Sequence, residues 1–315
     1  MRGVIFTPVV GEKFRAVVGR HAELVVAGSR DEAVAAARTA DLLVIDGTSY
    51  DAALAGALLA DKGRLRWVQL VSMGYDGLTR HGVPVGVVVT NVGGLYAPAV
   101  AEHAIALLLT LTRRLIHSAA NTAGRTHDRS QARHLRTLQG STIALIGCGR
   151  IGREIAVRLK PFGARLIGLA RTARTDPAIG DIRPIADLYD ALGEVDGAIL
   201  ALPLTPDTRN LLSDAALAAC KPGLWLVNVA RGEVVDTVAL AAALRDGRVG
   251  GAALDVTEPE PLPSDSELWS CPNLLVTPHV GGAGLARAPE RVAELVVENI
   301  RRFRNGEALE HVVIP

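Results

Sequence analysis

Cysteine is scarce in these 315 residues. Only Cys148, Cys220 and Cys271 occur, and no two of them form a C-x-x-C pair. A disulfide scaffold and a cysteine zinc site are therefore poor readings. An excess of charge of either sign is missing as well. The 34 Lys and Arg face 33 Asp and Glu, a formal net charge of +1. That balance excludes a protein that binds nucleic acid or another polyanion by bulk charge, while leaving room for a local basic pocket. No apolar run approaches the ~18 residues of a membrane span. The longest candidate, Ala104 to Leu111, is interrupted by Thr110 and closed by Arg113-Arg114. Pro8, Gly11, Glu12 and Lys13 cut the first apolar run too early for a signal peptide. A soluble cytoplasmic protein is expected. Solenoid repeats and low-complexity tracts are also missing, and 49% hydrophobic residues exclude a largely disordered chain.

What is present is alternation. At ~150 residues per domain the length suggests two domains. Val4-Ile5-Phe6, Glu23 to Val26, Asp41 to Ile45, Trp67 to Val71 and Val85 to Val89 read as strands separated by helical patterns. Asp31 is a candidate cap for a helix through about Arg38. Parallel neighbours need such crossovers, so an α/β fold follows. A long helix is predicted from about Ala97 to Ile116, with Pro98 in its first turn. Residues 121–140 are polar and basic and read as a connection. A second alternation runs from Ser141 to about His279. A last helix covers Pro289 to Arg304 and stops before Asn305-Gly306.

The sharpest local signal is the apolar run Thr142 to Ile146 leading into Gly147-Cys148-Gly149-Arg150-Ile151-Gly152, with helix after it. Gly147 permits the tight turn, Gly149 lets the backbone approach a pyrophosphate, and Gly152 lets the helix pack on the strand. The helix start then offers N–H groups to phosphates. With strand before and helix after, this G-x-G-x-x-G points to dinucleotide binding. Arg150, Ile151 and, further on, Leu202 and Gly281 are expected to line the dinucleotide. An acid normally ends the next strand and takes the ribose hydroxyls of NAD. Ala170 stands there, followed by Arg171, Thr172 and Arg174, and the first acid is Asp176. Guanidinium groups without a competing carboxylate suit a 2′-phosphate. NADP(H) is expected over NAD(H), the bland alternative being a solvated basic loop.

Three more segments end apolar strands in the same half. They are Asn228-Val229-Ala230-Arg231-Gly232, Leu254-Asp255-Val256-Thr257-Glu258-Pro259-Glu260-Pro261, and Thr277-Pro278-His279-Val280-Gly281-Gly282. In a doubly wound sheet such positions face the ligand crevice. An Arg, a Glu and a His there can supply an anion fork, a carboxylate partner and a proton donor, which reduction of a 2-oxo acid requires. Glu258 competes with Glu260 for the carboxylate. His103 reads as a structural helix residue, and His127 and His134 as solvated.

These four motifs, in this order, resemble the D-isomer-specific 2-hydroxyacid dehydrogenases over essentially the whole chain. The resemblance implies two doubly wound domains, a Rossmann cofactor domain inserted in a flavodoxin-like substrate domain, with the active site in the cleft between them. It implies a substrate domain of about 1–98 with 285–315 around a dinucleotide-binding domain of 99–284. By the same resemblance, Arg231 binds the substrate carboxylate and polarises the carbonyl. His279 is the acid in reduction and the base in oxidation, and Glu260 pairs with it and favours its protonated form. Asp255 orients the nicotinamide carboxamide, and Val229 and Ala230 line its pocket. The segment Val71-Ser72-Met73-Gly74-Tyr75-Asp76 matches a substrate loop, with Met73 and Gly74 offering N–H groups to the acid. The family usually forms homodimers.

The sequence departs from the family at Ala170, and at Thr257, where an aromatic is common. It stops at Pro315, and a regulatory extension of the kind some phosphoglycerate dehydrogenases carry is not expected. The leading expectation is an NADPH-dependent reductase of a small 2-oxo acid such as glyoxylate or hydroxypyruvate. The alternatives are phosphite oxidation on the same fold and a dinucleotide-sensing corepressor or scaffold. Arg231, Glu260 and His279 together favour chemistry over sensing.

Overall fold

The computed structural model describes residues 1–314. Its strands in chain order are β1 (Arg2–Phe6), β2 (Glu23–Val26), β3 (Leu42–Ile45), β4 (Trp67–Leu70), β5 (Val88–Thr90), β6 (Thr142–Ile146), β7 (Arg165–Ala170), β8 (Arg174–Asp176), β9 (Gly180–Pro184), β10 (Gly197–Leu200), β11 (Leu224–Asn228), β12 (Val249–Leu254), β13 (Leu274–Val276) and β14 (Val312–Ile314). The backbone divides into two compact units, Met1–Tyr96 with the chain from Leu285 onward, and Ala97–Gly284. Among the described residues no helix is long and apolar enough to cross a membrane.

The first unit holds a sheet of order β14-β5-β4-β3-β1-β2, parallel except for β14. The strands β3 and β4 are buried along their whole length. Burial on both faces explains why β3 reads as the unbroken apolar run Leu42-Leu43-Val44-Ile45. Two helix-capping and strand expectations change here. Ser29, not Asp31, caps the helix Arg30–Ala37, its hydroxyl accepting from the Glu32 N–H, while Asp31 lies in the first turn. There its charge still suits the positive helix end. The strand expected at 85–89 starts only at Val88, because a turn from Pro84 closes on the Val87 N–H at 3.1 Å.

The helix Ala288–Asn305 packs onto this sheet through Val292, Val296 and Ile300. Phe303 stacks on Trp67 with ring centroids 5.8 Å apart, and the Arg66 guanidinium lies 5.0 Å from the Phe303 centroid. A buried polar chain completes the attachment. Trp67 Nε1 donates to Thr90 Oγ1 at 2.7 Å, and that hydroxyl donates to Gln69 Oε1 at 2.8 Å. Asn299, fully buried, accepts from the Glu310 N–H at 2.8 Å and donates to the Glu310 carbonyl at 3.2 Å.

The second unit holds a sheet of order β13-β12-β11-β10-β6-β7-β9-β8, parallel except for the β8–β9 hairpin. The order reverses between β6 and β10, so a crevice opens at the carboxyl ends of those strands. Both units are doubly wound α/β, the fold class expected above. The helix expected to continue from Ala97 to Ile116 ends at Thr112. Arg114 turns left-handed at φ 53°, and a second helix, Leu115–Ala123, starts after it. Part of the supposed connection 121–140 is thus helical, with a further 3-10 turn at Ser130–His134. The first helix buries Ile105, Leu107, Leu108 and Leu111 in the core of this same unit, with Ile155 and Leu159 of the helix Arg150–Leu159. At roughly 1.5–3 kcal/mol per buried side chain, that packing outweighs differences in helix propensity.

Asn299→Ala removes, from a fully buried position, both side-chain hydrogen bonds to the Glu310 backbone unit. We expect a loss of about 1–3 kcal/mol, read by urea unfolding followed through Trp67, the tryptophan of this unit.

Candidate active site

The glycine loop leaves β6 and enters the helix Arg150–Leu159. Gly147 is left-handed at φ 105°, and a Cβ there would meet the Ala201 carbonyl at 2.3 Å. A Cβ on Gly152 would lie 2.2 Å from the Gly147 carbonyl oxygen, so the helix is packed against the turn that precedes it. Gly149 differs: it is exposed, a Cβ there would meet nothing within 4 Å, and it caps the helix with no side-chain hydrogen bond. Uncapped N–H groups beside an open approach are what a pyrophosphate fits. Leu202 lies just past β10, its backbone nitrogen 2.7 Å from where a Cβ on Gly147 would stand, and Arg150 and Ile151 form the first turn. Cys148 points inward, and burial pushes its thiol up to about 11, so it offers no nucleophile.

Past β7 the chain is basic. Ala170 ends the strand, and Arg171 and Thr172 are exposed after it. Arg174 donates from Nη2 to the Cys148 carbonyl at 3.0 Å and from Nη1 to the Thr172 carbonyl at 3.3 Å. It therefore stands beside the glycine loop. Asp176 is buried, accepting from Arg153 Nε at 2.6 Å and from the Ala178 N–H at 2.9 Å. Burial alone would raise its carboxyl, but those bonds outweigh it and hold the group below the ordinary carboxylate range.

The three further strand ends converge. At β11, the buried Asn228 donates to the Arg231 carbonyl at 2.9 Å and accepts from the Ala230 N–H at 3.0 Å, which shapes the turn Val229-Ala230-Arg231. Arg231 Nη1 donates to the Ala230 carbonyl at 2.6 Å. Past β12, the Thr257 hydroxyl donates to the Pro259 carbonyl at 2.9 Å, and Thr237 donates to the Glu258 carbonyl at 3.2 Å. Thr257, where the resembled family commonly has an aromatic, thus braces the loop that carries Glu260. His279 lies past β13 with Nδ1 2.8 Å from Glu260 Oε1, both side chains about two-fifths exposed. Glu260, not Glu258, meets the imidazole. An ionised carboxylate only accepts, so Nδ1 carries the hydrogen and Nε2 is left to exchange a proton with a ligand.

Asp255 is engaged within the protein. Its Oδ1 accepts from Thr277 Oγ1 at 2.6 Å and from the Val280 N–H at 3.0 Å, and Oδ2 accepts from the Gly281 N–H at 2.8 Å. The carboxylate holds the turn that carries His279 before it can hold a carboxamide. The Gly281 N–H is likewise engaged internally. His103 also does more than pack in its helix, since its Nε2 lies 3.0 Å from Thr277 Oγ1. Thr277 and His103 are the residues of this network that motif reading missed.

In the first unit the loop after β4 is built from its carbonyls. Asn91 Nδ2 donates to the Met73 carbonyl at 2.8 Å, and Ser72 Oγ donates to the Gly74 carbonyl at 3.1 Å. A trans peptide points its N–H opposite its C=O. The N–H groups of Gly74 and Tyr75 therefore face away from those anchors. The neighbouring Asp46 holds Thr48 and Ser49 through both hydroxyls, at 2.6 and 2.7 Å. Among the described residues no cluster of three His, Cys, Asp or Glu could hold a metal ion.

Comparison with known proteins gives a consistent picture. The profile of the D-isomer specific 2-hydroxyacid dehydrogenase, NAD binding domain, matches residues 105–281. The glyoxylate reductase of Thermococcus gammatolerans is 37% identical over 277 residues, 86% of this chain and 81% of its own. A D-isomer specific 2-hydroxyacid dehydrogenase family protein from Aeromonas salmonicida superposes with a TM-score of 0.86 at 30% identity, covering 99% of this chain and 98% of its own. A D-isomer specific 2-hydroxyacid dehydrogenase from Xanthobacter autotrophicus, in complex with NADPH and MES, gives a TM-score of 0.82 at 27% identity, covering 100% and 98%.

Gly152→Ala puts a methyl group against the Gly147 carbonyl and must shift the loop. We expect at least about tenfold weaker dinucleotide binding, measured by titrating the fluorescence of the reduced dinucleotide.

Proposed function

Because the chain belongs to the D-isomer-specific 2-hydroxyacid dehydrogenase family, we propose that it reduces a small 2-oxo acid of the glyoxylate or hydroxypyruvate type, with NADPH as the preferred donor. Membership makes it an oxidoreductase that moves a hydride between a nicotinamide dinucleotide and a small 2-oxo or 2-hydroxy acid. The observation that carries the residue roles is the 2.8 Å contact between His279 Nδ1 and Glu260. The dinucleotide, when bound, supplies the hydride. His279 gives a proton from Nε2 to the carbonyl oxygen of the acid, and in the reverse direction takes it back. Glu260 fixes the ring and balances the imidazolium charge. Arg231 binds the substrate carboxylate and polarises the carbonyl, and the loop at Met73 and Gly74 offers N–H groups to the same carboxylate. Gly147, Gly149, Arg150, Ile151 and Gly152 hold the pyrophosphate, while Leu202, Val229, Ala230 and Gly281 line the dinucleotide. The substrate class follows the glyoxylate reductase of Thermococcus gammatolerans. A dinucleotide-sensing scaffold would need none of Arg231, Glu260 and His279. By family likeness we also propose a substrate domain in the first unit, a cytoplasmic location and a homodimer.

The cofactor preference rests on the turn after β7. Ala170 brings no carboxylate to the ribose, and Asp176 is engaged by Arg153. Arg171, Thr172 and Arg174 are what a 2′-phosphate would meet. Both terminal nitrogens of Arg174 already serve backbone carbonyls, so Arg171 has the larger share.

Two outcomes test these roles. With wild type turning over glyoxylate or hydroxypyruvate, His279→Ala should lose roughly 10²–10⁴-fold in kcat, and Glu260→Gln should lose less. An unimpaired His279→Ala sinks the assignment. For the cofactor, kcat/KM should favour NADPH over NADH about tenfold or more, the scale of one charge-assisted contact. Arg171→Ala with Arg174→Ala should erase that preference. A double variant that keeps it would mean the phosphate is held elsewhere, with Arg150 next to examine.

A further inference from the structure

Building on that assignment of His279, we propose that His103 is a positioning residue for the proton donor. It acts from the helix Ala97–Thr112 through Thr277 and Asp255. His103 Nε2 lies 3.0 Å from Thr277 Oγ1 and 3.2 Å from Asp255 Oδ1. Thr277 has one hydroxyl hydrogen, and at 2.6 Å from Asp255 Oδ1 it donates there. Its oxygen therefore accepts from His103, and Nε2 is the ring nitrogen that carries the hydrogen. That one N–H lies between the hydroxyl and the carboxylate and sets the direction of both.

The carboxylate so fixed organises the turn behind the dyad. It accepts from the Val280 and Gly281 N–H groups, while the Asp255 carbonyl accepts from the His279 N–H at 2.8 Å. His279 itself is left-handed, at φ 53°. A residue with a Cβ keeps such a conformation only where its surroundings over-determine it. Here they do so through Asp255, which is almost wholly buried and so depends on its donors. Remove the His103 donor and the Thr277 hydroxyl keeps only its bond to Asp255. Asp255 loses a bond, the amides at 280 and 281 lose a fixed acceptor, and the imidazole leaves its alignment with Glu260. The bonds of His103 go to Thr277 and Asp255, not to His279 or Glu260, so its effect on the proton transfer is indirect.

The test compares His103→Leu, which fills similar volume without a donor, with His103→Gln, whose amide nitrogen reaches about where Nε2 sits. His279→Ala runs beside them. Two readouts are taken: kcat and KM with NADPH and glyoxylate, and hydrogen exchange of the Val280 and Gly281 amides without ligand. His103→Leu should lose about ten- to hundredfold in kcat, the scale of a misplaced catalytic group, with KM for the acid changed by about threefold at most. Its amides at 280 and 281 should exchange faster. His103→Gln should recover most of both. A fully active His103→Leu beside an inactive His279→Ala overturns the proposal and leaves the function standing. So does a His103→Gln as damaged as His103→Leu, because ring packing would then be the whole role. If wild type turns over no 2-oxo acid, the function fails and the exchange data decide alone. Unchanged exchange at Val280 and Gly281 in His103→Leu then overturns the proposal.

Discussion

The parallel ladder of the second unit runs on past the ends of its strands, and the crevice is made of that overrun. Gly147 donates to the Leu169 carbonyl, Ala201 to Ile146, Val229 to Leu200, Asp255 to Asn228, and Thr277 to Leu254. Each of these N–H groups belongs to a residue at or just beyond the strand end. The turns that leave the sheet are therefore fixed to one another before any side chain is considered. The glycine loop, the Arg231 turn and the His279 turn are successive rungs of one scaffold. A group placed on such a scaffold is held more closely than one on a free loop.

On that frame the acids divide the work, and their burial explains the division. Asp176 and Asp255 are nearly inaccessible and fully engaged, one by an arginine and backbone, the other by a hydroxyl, an imidazole and two amides. A buried carboxylate without such partners would be costly, so these two are committed to shape. Glu260 is the exposed one, with a single imidazole partner. Burial, rather than residue type, separates the two acids committed to shape from the exposed one beside His279.

Much of this was legible because it is local. The strand, the three glycines and the following helix are contiguous, and each strand-end motif declares its own turn. Alternating apolar runs were enough for the doubly wound class. What escaped has physical reasons. Arg114 adopts a left-handed turn without the glycine that usually signals one, so one helix was read where there are two. Ser29 and Asp31 are both good caps, and only the backbone decides between them. His103 and Thr277 are 174 positions apart. No spacing rule brings a helix histidine to a threonine that precedes a motif proline. Likewise the orientation of Asp255 could not be read from its place after an apolar strand, since its donors are amides supplied by a distant turn.

The polar attachment of the helix Ala288–Asn305 bears on the order in which the protein is made. Residues 97–284 form one unbroken stretch and leave the ribosome complete. The first unit does not. Its strands emerge first, yet β5 has no β14 beside it, and Trp67 no Phe303, until the final segment has been synthesised. Domains fold as units during synthesis, usually the amino-terminal one first. In this chain the inserted unit can finish first, while the older strands wait with an open sheet edge and an uncovered indole. That interval, rather than the finished protein, is where a chaperone would find apolar surface to hold.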